Sequence, residues 1–236
     1  MNPDERSLLV VAAHPDDEVL GCGATTYKKV RSGWTAHLVI MTGGITGRSA
    51  DPSDLGQAER AALDKIKENS RRAAEVIGFS SVKRFDFPDN RMDGVSRSEL
   101  AHALRREVER TRPYLVMTHH PGDYNWDHGR VFDAVMMAAR VNPPEFSPAE
   151  IRTFEVPSST ERSWQEPSRA FHPNLYEDVR QTIDRKKLAL TCYETECKPY
   201  PHARSIEAME YIARVRGLEA GVTYAEAFHL VRRLEI

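Results

Sequence analysis

His14, Asp16 and Asp17 stand together in the run Ala13-His14-Pro15-Asp16-Asp17-Glu18. An imidazole, one carboxylate to share a metal and a second left over for proton transfer form a compact hydrolytic set. Asp17 follows His14 by three positions, about one helical turn, so both side chains can face one point. A third ligand has to come from elsewhere, and His128 can supply it from the run His119-His120-Pro121-Gly122-Asp123-Tyr124-Asn125-Trp126-Asp127-His128. Two imidazoles and one carboxylate leave the fourth position of a tetrahedral zinc open to water, as catalytic zinc requires. Zinc brings the pKa of such a water from about 15.7 towards roughly 7. Asp16, next to a ligand but free to point elsewhere, is then the candidate general base, a role worth about 10²–10⁴-fold in rate. Asp127 is a candidate for orienting a ligand ring from behind. Two alternatives stay open on residue type alone. Asp16, Asp17 and Glu18 can simply cap and charge a helix start, and His119 or His120 can take the place of His128.

The surrounding elements must carry these groups to one edge. Residues 7–13 form a continuous apolar run, the pattern of a buried strand, and 18–31 follow with helical character. Further strands are expected at 35–41, 82–87 and 114–118, and further helices at 55–77, 96–112 and 129–140, with Gly78 and Pro113 as stops. This strand-then-helix rhythm predicts an α/β fold with a mainly parallel sheet covered by helices on both faces. The carboxyl ends of such strands share one rim, where open α/β sheets place their chemistry. Arg48, Asn90, Arg91 and Asp93 fall on that rim, where they can contact a substrate or be ordinary surface-loop residues.

After Pro143-Pro144 the rhythm changes. A strand is expected at 151–156, a loop at 171–174, and helices at 179–192 and 205–215. Ile206, Met209, Ile212 and Val215 read as a buried stripe, and Arg185-Lys186-Lys187 as a solvated helix face. Residues 143–169 read as loop-rich, suited to a lid or to a contact in a homo-oligomer. No Gly/Ser-rich linker divides the chain, so one domain over 1–236 is expected.

Composition narrows the function classes. With 236 residues, 40% hydrophobic and 29% charged, the chain reads as globular, and a net charge of -2 carries no electrostatic footprint for nucleic acid. Three cysteines cannot pair completely, and a reduced, cytoplasmic setting is expected. No apolar run approaches the roughly 18 residues of a membrane span. Gly21-Cys22-Gly23 lacks the full dinucleotide-loop pattern, and Cys22 reads as a small packing residue.

At this level of detail the chain resembles the LmbE-like, or PIG-L-type, zinc-dependent N-deacetylases. Ala13-His14-Pro15-Asp16-Asp17-Glu18 matches their leading signature and Asp127-His128 their second metal motif. Arg216-Gly217, Gly221 and Tyr224-Ala225-Glu226-Ala227-Phe228 look like their closing segment. The resemblance implies a Rossmann-like fold and hydrolysis of the N-acetyl group of a small-molecule amino-sugar conjugate. It implies one Zn2+ per chain on His14, Asp17 and His128, with Asp16 activating the water. One departure stands out: many members read His-Pro-Asp-His in the second motif, the first His assisting the oxyanion. Here the residues are Asn125-Trp126-Asp127-His128. Asn125 can donate a hydrogen bond but cannot act as an acid, so either its amide suffices or His119 or His120 reaches in. Lys65, near Glu68, stands where many relatives carry Arg. Rival readings are a two-metal phosphoesterase and a sugar-binding protein without turnover.

Overall fold

The computed structural model describes residues 6–44, 56–140, 147–163 and 166–235. Seven strands form one sheet in the order β3-β2-β1-β4-β5-β7-β6. They are β1 (Ser7–Ala12), β2 (Thr35–Thr42), β3 (Ser81–Phe87), β4 (Leu115–His119), β5 (Glu150–Phe154), β6 (Leu175–Asp178) and β7 (Ala225–Arg233). β1 to β5 are mutually parallel, and β7 runs antiparallel between β5 and β6. The fold is thus α/β with a mostly parallel sheet. The helices are α1 (Asp17–Arg31), α2 (Gln57–Ile77), α3 (Arg97–Thr111), α4 (Trp126–Ala138), α5 (Ile183–Thr191) and α6 (Ile206–Ala220).

Alternation along β1 divides the core. Leu8, Val10 and Ala12 join the apolar cluster containing residues of α1, α2 and α5, whereas Leu9, Val11 and Ala13 join the one built with α3 and α4. A strand buried on both faces has to be apolar at every position, which explains the unbroken run. Strand order reverses at β1: the chain moves outward to β2 and β3, then returns to β4 on the other side. The carboxyl ends of β1 and β4 are therefore adjacent at the switch point, and His14 and His119 emerge there.

Helix α1 is interrupted at Cys22, whose backbone (φ -145°, ψ 19°) is not helical. Beside the break the helix lies close against β5, where a Cβ at Gly21 would be 2.2 Å from the Phe154 ring. Two buried charges replace the hydrogen bonds lost at the break. Lys186 donates from Nζ to the Leu20 carbonyl at 2.8 Å and to Glu226 Oε1 at 2.7 Å. The Glu226 carboxylate accepts from the backbone N–H groups of Ala24 (3.1 Å) and Thr25 (2.7 Å). A cation thus ends the first segment and an anion begins the second, each matched to the helix dipole.

Several expectations are corrected here. Lys186 is 4% exposed, not part of a solvated face. On α6 the buried positions are Met209, Ala213 and Gly217, so the apolar stripe runs every four residues and leaves Val215 53% exposed. The helix expected at 179–192 begins only at Ile183, and β6 and β7 are strands where none was expected. Cys22 is a buried core residue, as expected, and all three cysteines are free thiols. No helix among the described residues is long and apolar enough to cross a membrane.

Candidate metal centre

The exit of β1 presents His14, Asp16 and Asp17, and the first turn of α4, after the exit of β4, presents His128. One donor atom from each of His14, Asp17 and His128 lies within 4.8 Å of the others. Asp17 Oδ2 is the focus, 3.3 Å from His14 Nδ1 and 3.4 Å from His128 Nε2. Each ring is held from behind through its other nitrogen, as metal-binding imidazoles usually are. His14 Nε2 faces Asp127 Oδ2 at 3.1 Å and Asp89 Oδ1 at 3.2 Å, and His128 Nδ1 faces Asp123 Oδ2 at 2.7 Å. Carboxylates only accept, so each outer nitrogen carries a proton, and the inner nitrogen, which faces Asp17, is the one that would give up its proton and offer a lone pair to a bound cation. Asp127 faces the ring of His14, and Asp123, itself bonded by Thr160 Oγ1 at 2.7 Å, faces that of His128.

The donor set fits a divalent cation. Asp17 Oδ1 and Asp16 Oδ1 are buried and accept no hydrogen bond from a described group. Asp16, Asp17, Asp89, Asp123 and Asp127 are each at most 3% exposed, and such a density of buried carboxylate calls for positive charge. Two imidazoles and a carboxylate suit a borderline ion such as zinc. Burial works against a charged His14, but its bonds to Asp127, Asp17 and Asp89 raise its pKa well above the ordinary value. Burial likewise opposes charge on His128, and Asp17 and Asp123 overcome it.

Asp16 behaves differently. It occupies the N-cap position of α1, yet its side chain caps no helical N–H, which removes the simple capping explanation. Its backbone is left-handed (φ 102°), and its N–H donates to Glu18 Oε2 at 3.1 Å. Its Oδ2 accepts from Arg204 Nη1 at 3.0 Å. Burial pushes the Asp16 carboxyl up to about 8, and the Arg204 guanidinium opposes the shift. One carboxylate oxygen is pinned and the other bare, the form a general base needs.

The sequence profile of the PIG-L family, described as GlcNAc-PI de-N-acetylase, matches residues 9–139, from β1 through the first residue after α4. The chain belongs to the PIG-L family. It is similar to the uncharacterized deacetylase YaiS of Escherichia coli, 29% identical over 191 residues covering 78% of this chain and 88% of that one. It is also similar to the 4-oxalmesaconate hydratase of Pseudomonas putida, 29% identical over 237 residues covering 95% and 86%. The fold matches that of the N,N'-diacetylchitobiose deacetylase from Pyrococcus horikoshii with a TM-score of 0.74 and 21% identity over 96% of this chain and 84% of that one.

Within this PIG-L scaffold the remaining expected residues take definite places. Asn125 is the N-cap of α4: its Oδ1 accepts from the Asp127 N–H at 2.9 Å and its Nδ2 donates to Asn90 Oδ1 at 3.0 Å. Its oxygen is thus spent on positioning the helix turn that carries Asp127 and His128. Asn125→Ala is expected to lower stability by about 0.5–2 kcal/mol through loss of this cap, measured by urea unfolding. Asn90 borders the site, its N–H donating to Asp127 Oδ2 at 2.7 Å. Arg91 and Asp93 are exposed on the same loop, and Arg48 lies outside the described residues. His119 stacks on His128 with ring centroids 3.9 Å apart, but its Nε2 accepts from the Ala13 N–H at 2.8 Å. Burial and the neighbouring His128 hold its pKa well below the ordinary value. His120 turns away, its Nε2 2.8 Å from the Arg169 carbonyl. Lys65 pairs with Glu194 at 3.0 Å, both about half exposed, as an ordinary solvated lysine does. Sequence reading named Asp123 only as part of a polar run and did not single out Asp89. It passed over Arg204, whose partner Asp16 is 188 positions away.

Proposed function

We propose that this chain is a zinc-dependent hydrolase that removes the acetyl group from an N-acetylglucosamine-type conjugate. The observation that carries the reading is the pairing of a convergent His14–Asp17–His128 set with an adjacent Asp16 that neither caps a helix nor joins that set. His14 Nδ1, Asp17 and His128 Nε2 would hold zinc, which acidifies water and polarises the amide carbonyl when bound. Asp16 Oδ1 takes the proton from the attacking water, and the same carboxyl then returns it to the departing amine nitrogen. Asp127, Asp89 and Asp123 keep the two rings in the tautomer that offers lone pairs inward. Asn125, with its oxygen capping α4, has one amide N–H left for the oxyanion and cannot supply a proton. Asp16 therefore handles both transfers.

The test is acetate release from UDP-linked, inositol-linked and oligomeric N-acetylglucosamine by zinc-loaded protein; absence of acetate across the panel contradicts the reading. His128→Ala is expected to reduce tightly bound zinc from one per chain to a small fraction, measured by elemental analysis. Unchanged stoichiometry would give the ligand role to His119. A second reading is favoured by the hydratase relative, which aligns with 95% of the chain. With Asp16 taking its proton, the same water can add to one carbon of the activated double bond of an unsaturated acid while a proton is delivered to the neighbouring carbon. Loss of substrate ultraviolet absorbance without acetate would mark that outcome.

A further inference from the structure

Among the described residues, four that are not glycine have positive φ: Asp16 (102°), Asn90 (53°), Arg112 (42°) and Ser158 (79°). Arg112 is the C-cap of α3, where a left-handed residue is ordinary. Asp16, Asn90 and Ser158 follow the exits of β1, β3 and β5. Such a backbone state costs about 1–3 kcal/mol and persists only where the surroundings over-determine it. Two of the three, Asp16 and Ser158, are bound by one side chain. Arg204 donates from Nη1 to Asp16 Oδ2 at 3.0 Å and from Nε to Ser158 Oγ at 2.8 Å.

The guanidinium is itself fixed. Its Nη1 also donates to Glu196 Oε2 at 3.0 Å, and the Arg204 N–H donates to His202 Nδ1 at 3.0 Å. Ser205, the next residue, caps α6 through the Ala208 N–H at 2.9 Å. At the far end, both Glu161 carboxylate oxygens hold the Ser158 N–H, at 2.8 and 2.9 Å. The Asp16 N–H is held by Glu18, which accepts from Tyr193 Oη at 2.5 Å. The planar fork of an arginine can hold two partners at fixed angles, which a lysine ammonium cannot.

We propose that Arg204, which lies beyond the segment matched by the family profile, is the positioning residue for Asp16. It fixes the carboxylate so that Oδ1 alone faces the reacting water. The kinetic part of this proposal rests on the deacetylase reading; the structural part does not.

The test has two arms. In the first, Arg204→Met and Arg204→Lys are assayed for acetate release and zinc content. The expected result is a fall in kcat of about 100-fold for Met, the size of effect a small misplacement produces, with KM within about 3-fold and zinc unchanged. Lys is expected to recover only a minor part, because it cannot hold both Asp16 and Ser158. Methylguanidine added to Arg204→Ala is expected to restore part of kcat, which a general packing defect would not allow. If Arg204→Met does not fold, Arg204→Lys and the rescue carry the comparison. A kcat within about 3-fold of wild type in both variants, or a loss confined to KM, overturns the proposal. In the second arm, a cycle of Asp16→Asn, Arg204→Lys and their combination is followed by urea unfolding. Coupling of about 5-fold or more in the unfolding equilibrium constant is expected, and additivity overturns the proposal. Coupling without acetate release from wild type leaves the Arg204–Asp16 pair standing and removes the deacetylase reading instead.

Discussion

Asp16→Asn is expected to lower kcat for acetate release by about 10²–10⁴-fold while zinc stays near one per chain. The two halves of this outcome have separate structural causes. Zinc is retained because Asp16 points towards Arg204 and offers nothing to the His14–Asp17–His128 focus. The backbone survives because Asn, with Asp, tolerates the left-handed region better than other side chains, so the φ of 102° remains accessible. The amide oxygen can still accept from Arg204 Nη1, but the group no longer accepts a proton at neutral pH. KM should therefore change little, since the lost interaction belongs to the transition state. Acetate release and elemental analysis on the same preparation decide it. Loss of zinc would make Asp16 a ligand, and a kcat within tenfold of wild type would move the base elsewhere.

The part of the site that was legible in sequence is the part built by local spacing. His14, Asp16 and Asp17 are separated by one helical turn, and His128 follows the next strand of the switch point, so a strand-and-helix reading suffices to bring them together. β1, β2 and β4 announce themselves because a strand buried on both faces must be apolar throughout. β6, with the sequence Leu-Tyr-Glu-Asp, and β7, with Glu226 and Arg232 among its residues, carry charges that such a reading assigns to loops. Those charges have partners distant in sequence. Glu177 on β6 binds Lys28 and Arg152, and Glu226 binds Lys186 and the broken turn of α1. Arg204 escaped notice for the same reason, since its surroundings in sequence are polar and turn-like and only the fold delivers it to Asp16. Spacing offered Asp127 as a carboxylate behind a ligand ring without choosing the ring, because such a group can serve either imidazole; the fold sets it against His14.

Lys186→Met is expected to destabilise the protein by about 3–5 kcal/mol, the usual consequence of removing one member of a buried ion pair. Lys186 and Glu226 are each 4% exposed, so water cannot readily take over for the missing ammonium. The substitution leaves the Leu20 carbonyl without its donor and the Glu226 carboxylate with only the Ala24 and Thr25 N–H groups. Glu226→Leu should be at least as severe, because it strands those two N–H groups, each adding about 1–3 kcal/mol, and leaves the buried ammonium with the Leu20 carbonyl but no counter-charge. The double variant removes both charges but still leaves three backbone groups unpaired at the break. It should therefore lie below the sum of the single losses without returning to wild type. The comparison belongs on zinc-free protein followed by urea unfolding, so that metal binding does not mask the difference. A loss under about 1 kcal/mol for Lys186→Met would mean that solvent reaches the break and that the pair does not hold α1 together. The expected loss would instead tie the stability of the helix that begins at Asp17 to two residues from the far end of the chain.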